Sequence, residues 1–257
     1  MVSEEKLDNR KNKDLQNNYI FGRNSVMEAL KSGRGVDTIL VSSAEAAGSL
    51  KAIIALAKEK KIVIKHVKKQ NLDSLCGFSN HQGVAALASV KKTCSVDEIL
   101  SFAEKKGEPP FLIIADGIED QHNLGAIIRT AECSGAHGVI ISERRSAGLT
   151  GTTQKSSAGA LEYVNVAKVK NLNSTIDYLK EKGLWIYGAD MGGKPWNEHD
   201  LTGPIALVIG SEGFGISSLV KKKCDFIISL PMSGKINSLN ASVAAGVLMY
   251  EVRRQRG

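Results

Sequence analysis

The 257-residue chain has no apolar run of about eighteen residues, the length a membrane-spanning helix needs. Its first residues, Met1-Val2-Ser3-Glu4-Glu5-Lys6, contain no apolar signal core, so the expectation is a cytoplasmic protein. Cysteine is scarce. Cys76, Cys94, Cys133 and Cys224 are too scattered for a C-x-x-C pair or a zinc spacing, and they are expected to be reduced, incidental thiols. The histidines His66, His81, His122, His137 and His199 fall in no ligand pattern, so no catalytic metal is expected. There is no G-x-x-x-x-G-K-[ST] loop, no G-x-G-x-x-G turn and no G-x-S-x-G elbow. These absences argue against a phosphate-loop nucleotide triphosphatase, a dinucleotide-binding turn and a serine hydrolase.

What is present is an ordinary core-forming composition, 42% hydrophobic and 24% charged, with a net charge of +7. The charge is uneven. Residues 1–17 and 91–110 are each neutral, while residues 18–90 carry ten basic and five acidic side chains. An excess concentrated in one segment points to a polyanionic partner docking there.

Residues 1–17 are poor in large apolar side chains and are expected to be a disordered tail. From Tyr19 the chain alternates short apolar runs with helical spacings. Ser25-Val26-Met27-Glu28 has capping-box spacing, and Gly33 supplies a stop. Strands are predicted over 38–41, 62–67 and 83–88, with helices between them, which makes 18–90 a small α/β unit. Its loop Phe78-Ser79-Asn80-His81-Gln82-Gly83 mixes aromatic, amide and imidazole groups of the kind that read RNA. Residues 91–110 hold a short amphipathic helix and end in Pro109-Pro110. They read as a linker. Residues 111–257 form a second α/β domain with buried strands at 111–115, 138–142, 184–189, 205–210 and 226–230. The polar loop 143–157 is long enough to be functional or mobile.

Three polar clusters stand at strand ends or helix mouths, where the ligand crevice of an open α/β sheet lies. The first is Asn123-Leu124-Gly125-Ala126-Ile127-Ile128-Arg129. Asn123 occupies an N-cap position, and Gly125 and Arg129 share a helix face that leaves room for a ligand. The second is Val208-Ile209-Gly210-Ser211-Glu212-Gly213-Phe214-Gly215-Ile216, where the acidic Glu212 suits a cation or a hydroxyl donor better than a phosphate. The third runs from Leu230-Pro231-Met232 through Ser238-Leu239-Asn240-Ala241-Ser242. It carries more polar side chains than one helix cap requires.

In order and spacing, these clusters resemble the three signature motifs of the SpoU (TrmH-like) branch of the SPOUT RNA methyltransferases, at 116–138, 207–216 and 229–248. Residues 18–90 resemble the small ribosomal-protein-like substrate-binding domain of the ribosomal RNA members. The resemblance implies a trefoil-knotted methyltransferase domain, a homodimer and S-adenosylmethionine as cofactor. It implies 2′-O-methylation of a ribose in RNA, with a guanosine of bacterial 23S rRNA as the expected target. By motif match, Gly210, Ser211, Leu230, Met232 and Leu239 would hold the cofactor. Asn123, Arg129, Glu212, Ser238, Asn240 and Ser242 would form the reaction site, with Glu212 and Asn240 orienting Arg129 and the ribose. A related enzyme acting on tRNA or another rRNA site, or a non-catalytic RNA-binding protein, are the alternatives.

Overall fold

The computed structural model describes residues 19–42, 48–76, 80–89 and 91–257. The predicted tail at 1–17 and part of the loop at 78–83 lie outside them. The chain forms two compact units. One comprises the chain up to Lys91 together with Leu149–Tyr163, the other Lys92–Gly148 and Val164–Gly257.

The first unit is a mixed four-stranded sheet, order β1-β4-β2-β3, made of Tyr19–Phe21, Val36–Ser42, Val63–Val67 and Val84–Ala88. β2 and β3 are parallel, and β4 runs antiparallel to both β1 and β2. Helices α1 (Arg23–Lys31) and α2 (Ser49–Glu59) bury Val26, Ala29, Leu30, Leu50, Ile53 and Ala57 against Ile20, Ile39, Val41, Val84 and Ala86. A third helix, α3 (Lys69–Leu75), follows β3. The capping-box expectation at Ser25 is corrected. α1 begins three residues earlier, with Gly22 at its N-cap, and Ser25 is buried, donating to Gln154 O at 3.2 Å.

Part of the long polar loop belongs to this unit for a definite reason. Glu162 is buried and its Oε1 accepts from Arg34 Nη1 and Gln154 Nε2, both at 2.7 Å. Lys91 Nζ donates to Glu162 O at 2.9 Å. Gly151 sits so close to β1 that a Cβ there would lie 2.4 Å from Tyr19 O.

The second unit is a six-stranded sheet of order β10-β8-β9-β5-β6-β7 with every pairing parallel. Its strands are β5 Phe111–Asp116, β6 Gly138–Ser142, β7 Asn165–Val169, β8 Trp185–Pro195, β9 Ile205–Gly210 and β10 Phe226–Ser229. Central strands β5 and β9 are buried almost throughout, which is why they read as unbroken apolar runs. The stretch read as a linker is an element of this unit. Its helix α4 (Val96–Lys106) is closed by a complete capping box at Ser95 and Glu98, and Ile99 packs with Leu112, Ile114 and Ile140. Cys94 bridges to Ala167. Burial pushes the thiols of Cys76 and Cys224 up to about 11, which makes them poor nucleophiles at neutral pH.

Candidate active site

The site is assembled at the carboxyl ends of β5 and β9, from three segments far apart in sequence. After β5, the chain turns through Gly117 (φ 72°) and enters α5 (Gln121–Ser134). The N-cap of α5 is Asp120, whose Oδ1 accepts from Asn123 N at 2.8 Å. This corrects the expectation that Asn123 caps the helix, and it leaves the Asn123 side chain free for other partners.

After β9, the chain folds back on itself. Ser211 and Gly215 exchange backbone hydrogen bonds of 3.1 and 2.9 Å, and Gly213 (φ 85°) and Gly215 (φ 65°) take left-handed conformations. A Cβ on Gly210 would lie 2.1 Å from the backbone carbon of Gly215, so only glycine permits the turn at that position. The turn is anchored from β5, since Asp116 Oδ2 accepts from Ser217 N at 2.7 Å. It carries Glu212 and presents Phe214 almost fully to solvent.

After β10, residues 231–240 are all exposed and lead into α9 (Ala241–Arg256); the intervening helices are α6 (Gly151–Ser156), α7 (Leu172–Glu181) and α8 (Ser218–Lys223). Asn240 caps α9. Its Oδ1 accepts from Ser242 N at 3.0 Å, Val243 N at 3.2 Å and Ser242 Oγ at 2.6 Å. Its Nδ2 donates to Asn123 Oδ1 at 2.9 Å and to Glu212 Oε1. Asn123 Nδ2 donates to the same Glu212 oxygen at 3.0 Å. One asparagine therefore ties a helix mouth to the other two segments, with the acidic oxygen as the common acceptor.

Of the expected reaction-site residues, Asn123, Glu212, Asn240 and Ser242 come together directly. Arg129 lies on α5 about one and two-thirds turns beyond Asn123. It is exposed and makes no hydrogen bond or ion pair among the described residues. Glu212 is not its partner; the carboxylate is engaged by the two asparagines instead. Gly125 is buried, so it does not open a ligand space beside Arg129. Ser238 is exposed and outside the hydrogen-bonded cluster. Of the expected cofactor residues, Leu239 and Met232 are exposed, Ser211 and Leu230 half-buried and Gly210 buried. Sequence reasoning missed Asp116 and Asp120. The Asp-x-x-Asn spacing before an apolar helix was the available signal for Asp120.

These residues suit a sulfonium nucleoside. Exposed Met232, Ile236 and Leu239 offer apolar surface beside a loop rich in backbone groups, and Glu212 is a nearby anion for a cationic sulfur. No group of three or more His, Cys, Asp or Glu able to hold a metal occurs among the described residues.

Comparison with known proteins identifies the family. Residues 110–250 match the SpoU rRNA methylase family, and residues 19–93 match the RNA 2′-O ribose methyltransferase substrate-binding family. A Bacillus subtilis relative named as a putative TrmH family tRNA/rRNA methyltransferase, YacO, is 46% identical over 94% of this chain and 97% of its own length. The SpoU methyltransferase AviRb from Streptomyces viridochromogenes, crystallised in complex with AdoMet, superposes with a TM-score of 0.77 at 25% identity, over 93% of this chain and 90% of its own. A TrmH/SpoU tRNA-modifying enzyme from A. aeolicus gives 0.52 at 29% identity, over 62% of this chain and 83% of its own. The chain belongs to the SpoU/TrmH family of RNA methyltransferases.

Proposed function

We propose that the protein methylates the 2′-hydroxyl of a guanosine in bacterial 23S rRNA, as RlmB does, using S-adenosylmethionine. The observation that carries the reaction is the Asn123–Glu212–Asn240 cluster, which joins the three motif segments at the carboxyl ends of the strands. Ribosomal rather than transfer RNA is favoured by the substrate-binding family match over residues 19–93, together with the tRNA-modifying enzyme's shorter overlap of 62% of this chain.

S-adenosylmethionine, when bound, supplies an already activated methyl group. Gly210, Ser211, Leu230, Met232 and Leu239 would hold it, largely through backbone groups. The protein's own task is then to position the ribose and help its hydroxyl lose a proton. Arg129 is exposed and makes no ion pair among the described residues, so its planar fork is available to a phosphate or to negative charge growing on the 2′-oxygen. A guanidinium with a pKa above about 12 is a poor base, and clamping is the better role. Asn240 and Glu212 hold the ribose, with Asn123 fixing both; Ser238 and Ser242 complete the polar rim.

The working protein is a cytoplasmic homodimer in a knotted fold. The dimer rests on α9, which buries Ala245, Leu248, Met249 and Val252 while leaving Val243, Val247 and Tyr250 exposed along the opposite face. An apolar stripe of i, i+4, i+7 spacing suits a second subunit. Among the described residues, no helix is long and apolar enough to cross a membrane.

Mapping 2′-O-methylation in a deletion strain tests the substrate. Loss of one guanosine mark in the large-subunit RNA is expected. Intact ribosomal marks with an altered transfer RNA would overturn the assignment.

A further inference from the structure

Phe214 is the most exposed large hydrophobic side chain among the described residues, at 94%. It stands on the turn after β9, two residues beyond Glu212. Its ring has no aromatic or cation–π partner among the described residues. A single exposed apolar residue is ordinary and by itself calls for no function. This one differs in how it is held and in what it stands beside.

The turn is braced from several sides. Ser211 and Gly215 pair across its base, and Gly210 lies too close to the backbone of Gly215 and Ile216 to admit a Cβ. Asp116 Oδ2 holds Ser217 N just beyond it. Asp190 of β8 lies 3.8 Å from where a Gly215 Cβ would stand, and it is itself paired with Lys221 Nζ at 2.8 Å. Glycines flank the phenylalanine on both sides, so neither neighbour screens the ring with a side chain. A Cβ added at Gly213 would meet nothing within 4 Å. A loosely held loop is free to fold such a ring back onto the protein and recover its burial, whereas a braced one keeps presenting it to water.

Its place is set by Glu212. That carboxylate accepts from Asn123 and Asn240, and two residues of chain span at most about 7 Å, so the ring stands beside the cluster. Every base has a π-face that an aromatic ring can stack on. RNA bases read one at a time are unpaired and splayed out, and aromatic side chains receive them. The adenine of the cofactor is the weaker fit. Small-ligand sites are concave and bury most of their ligand, and a ring 94% exposed lines no concavity.

We propose that Phe214 is a stacking platform for an unpaired base of the substrate RNA, that of the methylated nucleotide or of its neighbour on the strand. The stack fixes the target ribose against the Asn123–Glu212–Asn240 cluster from the base side. This deepens the methyltransferase reading and rests on it. The enzyme then takes its target from a single-stranded loop or bulge, not from a duplex whose bases are already stacked on one another.

The test is steady-state methyl transfer from labelled S-adenosylmethionine to ribosomal RNA of the deletion strain, with circular dichroism to establish that each variant folds. Phe214→Ala is expected to raise KM for RNA roughly 5- to 150-fold, the range alanine substitution gives for one base–aromatic stack. kcat is expected to change little, as for a contact made equally before and during the reaction. The salt slope of KM is expected to stay at the wild-type value, because no phosphate contact is lost. Phe214→Tyr and Phe214→Trp keep the π-face and are expected to match the wild type. Phe214→Leu keeps apolar bulk without that face and is expected to resemble Phe214→Ala. Trp185→Leu removes an exposed aromatic at the first residue of β8, at the opposite end of the sheet, and is expected to leave KM unchanged. The Phe214→Trp protein also reports directly, since RNA is expected to quench its added fluorescence. Wild-type KM in Phe214→Ala, Phe214→Leu as good as the wild type, or no quenching would each overturn the proposal. So would weakened S-adenosylmethionine binding by calorimetry in Phe214→Ala, which makes the ring a cofactor lid, or its conversion to a monomer in light scattering, which makes it a subunit contact. Absence of methyl transfer by the wild type would instead sink the enzyme reading, and quenching by RNA then decides the stack.

Discussion

Asn240 holds two jobs at once, and substitutions can separate them. Its Oδ1 caps α9 through Ser242 N and Val243 N, and its Nδ2 reaches Asn123 and Glu212. Asn240→Ala removes both. Loss of a cap costs about 1 kcal/mol, which for a unit of this size shifts its thermal midpoint by about 2–4 °C. Asn240→Asp keeps the acceptor, and a carboxylate at a helix N-terminus is as good a cap as the amide or slightly better. It nevertheless deletes two donors and sets a second carboxylate against Glu212. If the cluster positions the reacting ribose, losing that geometry should lower methyl transfer by about 10²–10³, the usual effect of removing one positioned donor. The expected pattern is Asn240→Ala less stable and inactive, and Asn240→Asp as stable as the wild type and equally inactive. The assay is single-turnover transfer of labelled methyl to rRNA, alongside thermal unfolding of each variant. Near-full activity in Asn240→Asp would refute the reasoning, because the donors to Asn123 and Glu212 would then be dispensable.

Arg129→Lys keeps the charge but loses the fork. Transfer rate is expected to fall about a hundredfold with S-adenosylmethionine affinity by calorimetry unchanged, and near-full activity would count against any fork-dependent role. Gly210→Ala drives a methyl group to 2.1 Å from Gly215 backbone and is expected to prevent the turn from closing, seen as loss of cofactor binding. Gly213→Ala meets nothing within 4 Å and suffers only its left-handed φ, about 1 kcal/mol by denaturant unfolding. Val247→Glu places a charge on the exposed stripe of α9 and is expected to give a monomer in light scattering, against a wild-type dimer. Burial holds the His137 imidazole below its ordinary range, an effect the adjacent Glu108 carboxylate only partly offsets. The unfolded chain therefore takes up the proton first. This contribution to stability is intact above about pH 6.5 and declines as pH falls through that value. An NMR titration placing the His137 midpoint above 6.5 would contradict it.

The second sheet was readable where its strands are buried on both faces, because continuous apolar runs such as Phe111–Ala115 and Ile205–Ile209 have few other structures open to them. β7 escaped notice for the converse reason. It is an edge strand, Asn165-Val-Ala-Lys-Val, with an exposed Lys168, and edge strands carry such residues to discourage stray pairing. The fate of 149–163 was also invisible. Its polar character reads as a solvent loop, but Glu162 is buried because Arg34, more than a hundred residues earlier, neutralises it. Pairings at that separation leave no periodic trace. The same holds for Ser25, whose spacing with Glu28 mimics a capping box although its hydroxyl is spent on Gln154.

The reaction site shows the same division between local and distant information. Each motif announced itself by a local surplus, namely a glycine-rich turn, an overfull helix mouth and an arginine one face along a helix. What local spacing could not supply was which groups meet. Two aspartates decide that. Asp120 takes over the cap of α5 and so releases the Asn123 side chain, while Asp116 pins the turn that carries Glu212. With Asn123 released and Glu212 fixed, both asparagines turn to one carboxylate oxygen, and the exposed Arg129 side chain makes no hydrogen bond or ion pair among the described residues. A guanidinium tied to Glu212 would already be neutralised before RNA arrived. In the proposed mechanism, one held apart from it keeps its full charge for a phosphate or for the developing alkoxide, at the cost of remaining hydrated until substrate covers it. The asparagine cluster thus accounts for the ordered part of the candidate site, and among the described residues the Arg129 side chain stands outside that hydrogen-bonded cluster.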